Sequence, residues 1–181
     1  LDTPIDYDNL IAAGSMMGSG GMIVMDEDDC MVSVAKFFLD FTVEESCGKC
    51  SPCRIGNKRL YEVLNRICEG KGTMEELDRL RNLSQVIKDT SLCGLGQTSP
   101  NPVLSTLDNF YDEYLDHVQN HKCKAGQCKA LMNYVIDPEA CTGCTLCARV
   151  CPVNAISGER KMPHFIDTTI CIKCGACMEK C

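Results

Sequence analysis

The chain has 181 residues, sixteen cysteines and a net charge of −7. Such a length is enough to bury a core and to form one or two domains. Acidic residues gather in 1–40, whereas 141–181 carry an excess of two basic residues. The sequence has no basic stripe of the kind that binds nucleic acid, and no apolar run approaches the roughly 20 residues of a membrane span. It therefore predicts a protein with no nucleic-acid partner and no membrane span.

Most of the cysteines occur in C-x-x-C runs, where neighbouring thiolates are placed to share a metal. Small secreted proteins pair such residues in disulfides, but this chain is long, rich in methionine and patterned for helices. Metal binding in a reducing compartment fits better, so we predict a cytoplasmic protein. Because the chain starts at Leu1 without a methionine and stops on a motif residue, Cys181, we also predict a segment of a longer protein.

Composition divides the chain into four segments, 1–29, 30–120, 121–140 and 141–181. The first segment is rich in glycine, methionine and aspartate, and its apolar run at 21–25 predicts a strand. We expect this segment to be the end of a domain that begins upstream. The third segment is a connector with two cysteines and no clear hydrophobic periodicity.

The second segment reads as four amphipathic helices joined by short connections. Apolar residues recur at helical spacing over 31–39 and again over 60–67. Thr73 and Glu76 form a capping box that opens a third helix. Asn101, followed by a proline, is predicted to be the N-cap of the fourth. Four such helices are typical of a small bundle.

The fourth segment contains the same cysteine motif twice, thirty residues apart. Each copy reads C-x2-C-x2-C-x3-C, in which three thiolates wrap three corners of a [4Fe–4S] cluster and the fourth ligates the other cluster. Zinc is the rival metal, but its sites use two cysteine pairs. The two predicted tail clusters are held by Cys141, Cys144, Cys147 and Cys181, and by Cys171, Cys174, Cys177 and Cys151.

A further cysteine triplet lies inside the predicted bundle. Cys47, Cys50 and Cys53 have the same spacing and supply three corners of a cluster. The fourth thiolate must come from a distant part of the chain, and Cys93 supplies it from a glycine-rich loop between two helices. We call this predicted [4Fe–4S] cluster the bundle cluster, and we expect it to tie two inter-helix loops together.

These motifs resemble a known family. S-C-G-x-C-x-P-C-R followed by S-L-C-G-L-G is similar to the NADH-binding flavoprotein subunit of respiratory complex I and its relatives, over residues 1–120. The resemblance implies that 1–29 ends a ubiquitin-like β-grasp domain of the SLBB type. It also implies an FMN and NADH site in a part of the protein N-terminal to this chain. The expected fold class is α+β: the end of a β-grasp domain, a four-helix bundle and a ferredoxin-like domain.

The ferredoxin-like tail narrows the resemblance. A complex I subunit stops near the bundle, whereas a following tail with two clusters resembles the beta subunit of soluble multimeric [FeFe]-hydrogenases, some of which bifurcate electrons. The resemblance implies as partners a hydrogenase catalytic subunit, a small thioredoxin-like [2Fe–2S] subunit, ferredoxin and, through the upstream part, NAD(P)H. NAD(P)-linked formate dehydrogenases have similar subunits and remain an alternative.

Four cysteines are left outside the cluster motifs. Cys30 and Cys68 fall on or beside apolar helical stripes, where buried inert thiols are the usual finding. Cys123 and Cys128 flank a tight polar loop shortly after His117, which predicts a structural zinc site on these three residues. The fourth zinc ligand would be His121 or a residue elsewhere. Two free thiols are one alternative, and a [2Fe–2S] cluster on all four cysteines is another.

The predicted function is electron conduction, because the chain has no Ser–His–Asp arrangement, no P-loop and no substrate site of its own. Clusters in two domains would relay electrons between an upstream flavin and another subunit or ferredoxin, within an NAD(P)-linked oxidoreductase. A free ferredoxin-like carrier and a purely structural module are the rival interpretations. The weakly patterned connector predicts a mobile tail that gates electron flow. His164 is predicted to be a surface-loop residue.

Overall fold

Helices carry most of the regular structure in residues 4–181, the part of the chain that the computed structural model describes. In this part, no helix is both long enough and apolar enough to cross a membrane. The elements are α1 (Tyr7–Ala12), α2 (Met31–Glu44), α3 (Asn57–Cys68), α4 (Met74–Thr90), α5 (Gly94–Thr98), α6 (Asn101–Asn109), α7 (Tyr111–Val118), α8 (Leu146–Val150), β1 (Ile156–Ser157) and β2 (Phe165–Ile166). This mixed helical architecture with a small sheet agrees with the expected fold class at that coarse level.

One apolar core joins α2, α3, α4, α6 and α7. Its side chains come from one stripe of each helix, as the helical spacing of the sequence predicts, and each buried leucine or isoleucine contributes roughly 1.5–3 kcal/mol. The connector also takes part, because Leu131 is packed into the same core. The largest buried apolar side chains are Leu39, Leu60, Leu64, Ile67, Leu77, Leu80, Ile87, Leu107 and Tyr114.

The helix ends confirm one sequence prediction and correct two. The capping box of α4 is present, since the backbone N–H of Glu76 donates to Thr73 Oγ1 at 3.3 Å and the N–H of Thr73 donates to Glu76 Oε2 at 3.0 Å. Asn101 is already helical, and Pro100 occupies the N-cap position. The predicted fourth helix is two helices, because Phe110 leaves helical geometry at φ −133° and ψ 37°. This break lets α7 turn back onto the core.

The first segment differs from its prediction. Its first three residues lie outside the described part, and residues 7–12 form α1, whose N-cap Asp6 accepts from the N–H of Asn9 at 2.8 Å. The strand predicted at 21–25 is not formed, and Met22, Ile23 and Val24 are exposed. A strand needs a hydrogen-bonding neighbour, and none of the described residues pairs with this run. Its place in a β-grasp domain stays a prediction.

The duplication in the tail is visible in the backbone. The N–H of Cys141 donates to the carbonyl of Asp137 at 3.0 Å, and thirty residues on, the N–H of Cys171 donates to Asp167 at the same distance. The two modules meet in an antiparallel pair in which β1 faces β2, with Ile156 opposite Ile166. The repeat therefore encodes one turn geometry, used twice to present a cysteine triplet.

Candidate metal centres

The last cysteine of the bundle triplet lies on an unusual helical turn. A π-helical turn at Pro52–Gly56 carries Cys53 directly into α3, and such turns occur often at functional sites. The backbone N–H groups of Leu92 and Cys53 point at the sulfur of Cys50 and lower the pKa of its thiol. Leu92 directly precedes Cys93, so this contact brings the loop of the fourth predicted ligand against the triplet.

Close approach of the two loops depends on Gly96. A Cβ at this position would lie 2.5 Å from Ser91 Oγ and 3.1 Å from Cys53 Cβ, too close for any larger residue without movement. Ser91 Oγ is buried and has no hydrogen-bond partner among the described residues. A sulfur-rich group held between the loops would give this hydroxyl an acceptor, so the residues present fit a cluster.

The tail brings its cysteines together in two adjacent sets. One cavity is lined by Cys151, Cys171, Cys174 and Cys177. Cys181 lies with the first triplet, since it lines a second cavity together with Cys141 and Cys147. Burial raises the pKa of the Cys147 thiol, and the neighbouring thiols of Cys144, Cys181 and Cys141 raise it further. In the described residues, the last cysteine of each module thus lies beside the triplet of the other; the crossed ligand assignment stays a prediction. Tyr134 and Cys177 line both cavities, which places the two sets next to each other.

Backbone donors surround the tail sulfurs. N–H groups of Ala155 and Lys173 donate to Cys151 and Cys171 at 3.2 and 3.4 Å. The N–H of His164 donates to a third tail sulfur, at 3.4 Å. The prediction that His164 is a surface residue was wrong: it is 2% exposed, because the loop before β2 folds its ring inward against Gly158. Charge-assisted bonds of this kind suit thiolates that ligate iron.

A separate buried group lies where bundle and connector meet. Cys30, His117, Cys123 and Cys128 are all buried, and their ligand atoms lie within 4.8 Å of one another. We call this group the joint site. Cys30 Sγ is 3.3 Å from His117 Nε2 and 3.9 Å from Cys128 Sγ. Tetrahedral zinc with ordinary bond lengths requires about 3.5 Å between N and S and about 3.8 Å between two S atoms, so the group has the right size.

The histidine of the joint site is already in the tautomer that binds metal. His117 Nδ1 lies 2.7 Å from the carbonyl of Glu113, which only accepts, so Nδ1 carries the proton and Nε2 is free to ligate. Glu113 also accepts from the N–H of Met31 at 3.0 Å and so holds the start of α2 against α7. The neighbouring Cys128 thiol and burial raise the pKa of Cys30 to about 12, so a metal that binds here displaces protons.

The fourth member of the joint site is the residue that sequence reasoning missed. The sequence suggests an inert thiol at Cys30, but this residue is the N-cap of α2 and precedes the apolar stripe rather than lying on it. His121 is exposed and is not part of the group. Cys68 is buried and contributes to the raised pKa of Cys128, so it lies beside the group without joining it.

Two regions match described families. Residues 33–117 match the iron–sulfur binding region of NADH-ubiquinone oxidoreductase F, and residues 134–157 match the 4Fe–4S binding domain. The first contains the bundle triplet with Cys93, and the second covers the first cysteine motif of the tail. Residues 33–117 are therefore similar to the iron–sulfur region of NADH-ubiquinone oxidoreductase F, and residues 134–157 are similar to a 4Fe–4S binding domain.

Individual relatives extend this assignment. The NADP-reducing hydrogenase subunit HndC of Solidesulfovibrio fructosivorans is 68% identical over 91% of this chain and 34% of its own length. The F-type subunit of the NADH-quinone oxidoreductase of Mycobacterium bovis is 41% identical over 68% of this chain and 28% of its own. A crystal structure of an NAD+-reducing [NiFe]-hydrogenase in the H2-reduced state is similar at TM-score 0.51 and 30% identity, over 53% of this chain and 17% of that chain. The chain thus spans about a third of its curated relatives and fits the C-terminal part of such NADH-binding subunits.

Proposed function

We propose that this chain is the iron–sulfur relay of a flavin-dependent NAD(P)H oxidoreductase, with three [4Fe–4S] clusters. The observation that supports this most is the placement of the tail cysteines, because Cys151 lines one cavity with Cys171, Cys174 and Cys177 of the other motif. In the bundle, Gly96 of the loop that follows Cys93 lies against Cys53. A bound cluster takes up or releases one electron at a time. The protein holds the ligand sulfurs and aims N–H groups at them, and these features tune the potential.

We propose the following order for the relay. In the full-length protein, we propose an FMN site N-terminal to this chain, which receives a hydride from NADH or NADPH. The bundle cluster takes single electrons from the flavin. The two tail clusters share the lining residues Tyr134 and Cys177, so an electron passes between them across a short distance. Cys174 and Cys181 are exposed, which supports delivery of electrons from the tail to a partner.

The favoured assembly is a soluble cytoplasmic hydrogenase, because 68% identity to an NADP-reducing hydrogenase subunit extends through 91% of the chain. Under this proposal, the partners are an [FeFe]-hydrogenase catalytic subunit, a small thioredoxin-like [2Fe–2S] subunit and ferredoxin, and the complex bifurcates electrons. A diaphorase-type subunit of an NAD(P)-dependent formate dehydrogenase is the second candidate. It shares the same relay and differs only in the enzyme that exchanges electrons with the tail.

The joint site is proposed to hold one structural zinc ion. Its four ligands come from the start of α2, from α7 and from the connector, so the metal fastens the connector to the bundle. His117 Nε2 completes a closed N/S site of the structural type, which favours zinc over a [2Fe–2S] cluster on four cysteines. The tail motion that we propose would then pivot at a point after the joint site. Lys173 Nζ donates to the carbonyl of Ala130, and this hydrogen bond must break before the tail can move.

Removing the bundle cluster should interrupt the relay without affecting the flavin. In the full-length protein, Cys93→Ala takes away the fourth ligand of the bundle cluster. We expect NAD(P)H to bleach the flavin as in the unmodified protein. Reduction of the tail clusters should slow by about a hundredfold or more, because even outer-shell changes at metal sites lower activity about 10–100-fold. Stopped-flow absorbance and freeze-quench EPR measure the two steps separately.

The neighbouring exposed residue supplies the control. Leu92→Ala changes a side chain that is 81% exposed and keeps the backbone N–H directed at Cys50, so both steps should stay at the unmodified rate. Tail clusters that reduce at the normal rate in a Cys93→Ala protein shown to lack the bundle cluster would refute the proposed order of the relay.

A further inference from the structure

A buried chain of hydrogen bonds ends on one sulfur of the bundle triplet. Asn57, the first residue of α3, is fully buried, and its side-chain amide donates to Cys53 Sγ at 3.5 Å. On its other side, Ser99 Oγ lies 2.8 Å from Asn57 Oδ1. Ser99 and Cys53 are only 3% and 4% exposed, so water does not compete for these bonds.

The chemistry of the sulfur fixes the direction of the chain. A ligating thiolate only accepts, so the amide N–H of Asn57 must face Cys53 and its Oδ1 must face Ser99. Ser99 has a single hydroxyl proton and two acceptors within reach, Asn57 Oδ1 at 2.8 Å and the carbonyl of Gly96 at 3.1 Å. The amide oxygen is the nearer acceptor and takes the proton. Ser99 thereby holds the amide in the orientation that donates to sulfur.

Side-chain donors converge on this one cysteine. Among the predicted cluster sulfurs in residues 4–181, Cys53 is the one bonded by side chains, from Asn57 and from Ser46, whose Oγ lies 3.3 Å from it. The tail sulfurs receive backbone N–H groups instead. A backbone donor is present whatever the residue, whereas an asparagine amide is a specific feature of the sequence.

From this network we infer that Asn57 raises the reduction potential of the bundle cluster, and that Ser99 is the positioning residue that orients it. The inference rests on the proposed cluster at Cys47, Cys50, Cys53 and Cys93. An added electron increases the negative charge on the sulfurs, so a donated N–H stabilises the reduced form more than the oxidised form. Because Asn57 and Cys53 are both buried, this bond is stronger than it would be in water. Asn57 thus makes the bundle cluster a better acceptor for flavin electrons.

A redox titration of the full-length protein tests the role of Asn57. Asn57→Leu keeps the approximate volume and removes the donor. We expect the ratio of reduced to oxidised bundle cluster at a fixed ambient potential to fall about tenfold, because the lost bond stabilises the reduced form more than the oxidised form. For one electron, tenfold corresponds to a shift of about 59 mV to lower potential. Asn65→Leu, the same change on the outer side of α3, should leave the midpoint unchanged.

Variants of Ser99 keep the test decisive if Asn57→Leu fails to fold. Ser99→Ala removes the positioning hydroxyl and should lower the midpoint by a smaller amount, whereas Ser99→Thr retains the hydroxyl and should restore it. An unchanged midpoint in both Asn57→Leu and Ser99→Ala would overturn the inference while leaving the relay intact. Absence of any bundle-cluster EPR signal in the unmodified protein would instead refute the proposed function.

Discussion

Replacement of Cys30 by alanine is expected to yield a protein that retains its iron but lacks zinc. Cys30 is 1% exposed and supplies one of four ligands within 4.8 Å of one another. Loss of a direct ligand exceeds the 10–100-fold effects of outer-shell changes, so zinc affinity should fall by about a hundredfold or more. Because the metal fastens the connector to the bundle, proteolysis should also begin within 121–133. Elemental analysis and limited proteolysis measure both effects.

Cys68 provides a matched control for Cys30. It is also buried, at 6% exposure, yet it lies outside the group of four. Cys68→Ala should therefore keep the full zinc content and the same cleavage pattern as the unmodified protein. Zinc retained in Cys30→Ala, or iron in place of zinc in the unmodified protein, would contradict the proposed joint site.

Double substitutions in the tail should reveal the crossed ligand arrangement. In the proposed arrangement, Cys151 serves the same cluster as Cys171, although it belongs to the other sequence motif. Cys151→Ala combined with Cys171→Ala should therefore remove one cluster, about four iron ions per chain. Cys151→Ala combined with Cys141→Ala should remove both tail clusters, about eight iron ions.

A sequential arrangement reverses this result. If each motif held its own cluster, the pair Cys151 and Cys141 would cost one cluster and the pair Cys151 and Cys171 would cost two. Iron and acid-labile sulfide per chain distinguish the cases, and each double variant serves as the control of the other. Equal losses in the two double variants, or the greater loss in Cys151→Ala with Cys171→Ala, would contradict the crossed assignment.

Local patterns were the most predictable part of this molecule. The capping box at Thr73 and Glu76 uses only atoms three residues apart, so the sequence contains all the information needed to form it. The helical stripes of the bundle and the thirty-residue repeat of the tail are likewise local regularities. The break at Phe110 was not predictable in the same way, because the stripe of apolar residues continues through it and only packing against the core sets the bend.

Long-range pairing accounts for the remaining differences. Cys30 and His117 are 87 residues apart, and no sequence motif links the two positions. The fold brings them together because Glu113 ties the start of α2 to α7. The exposed run at 21–25 shows that a local pattern can also mispredict structure. Its composition favours a strand, but a strand forms only where a neighbouring strand offers hydrogen bonds.

Anaerobic EPR of the full-length protein after addition of NADH or NADPH tests the central proposal most directly. If the chain is a relay, the pyridine nucleotide should generate signals of reduced [4Fe–4S] clusters from the bundle and from the tail, and Cys93→Ala should abolish the bundle signal. A protein with its full iron content whose clusters stay oxidised under these conditions, while its flavin is reduced, would contradict the relay and leave the clusters with a structural role only.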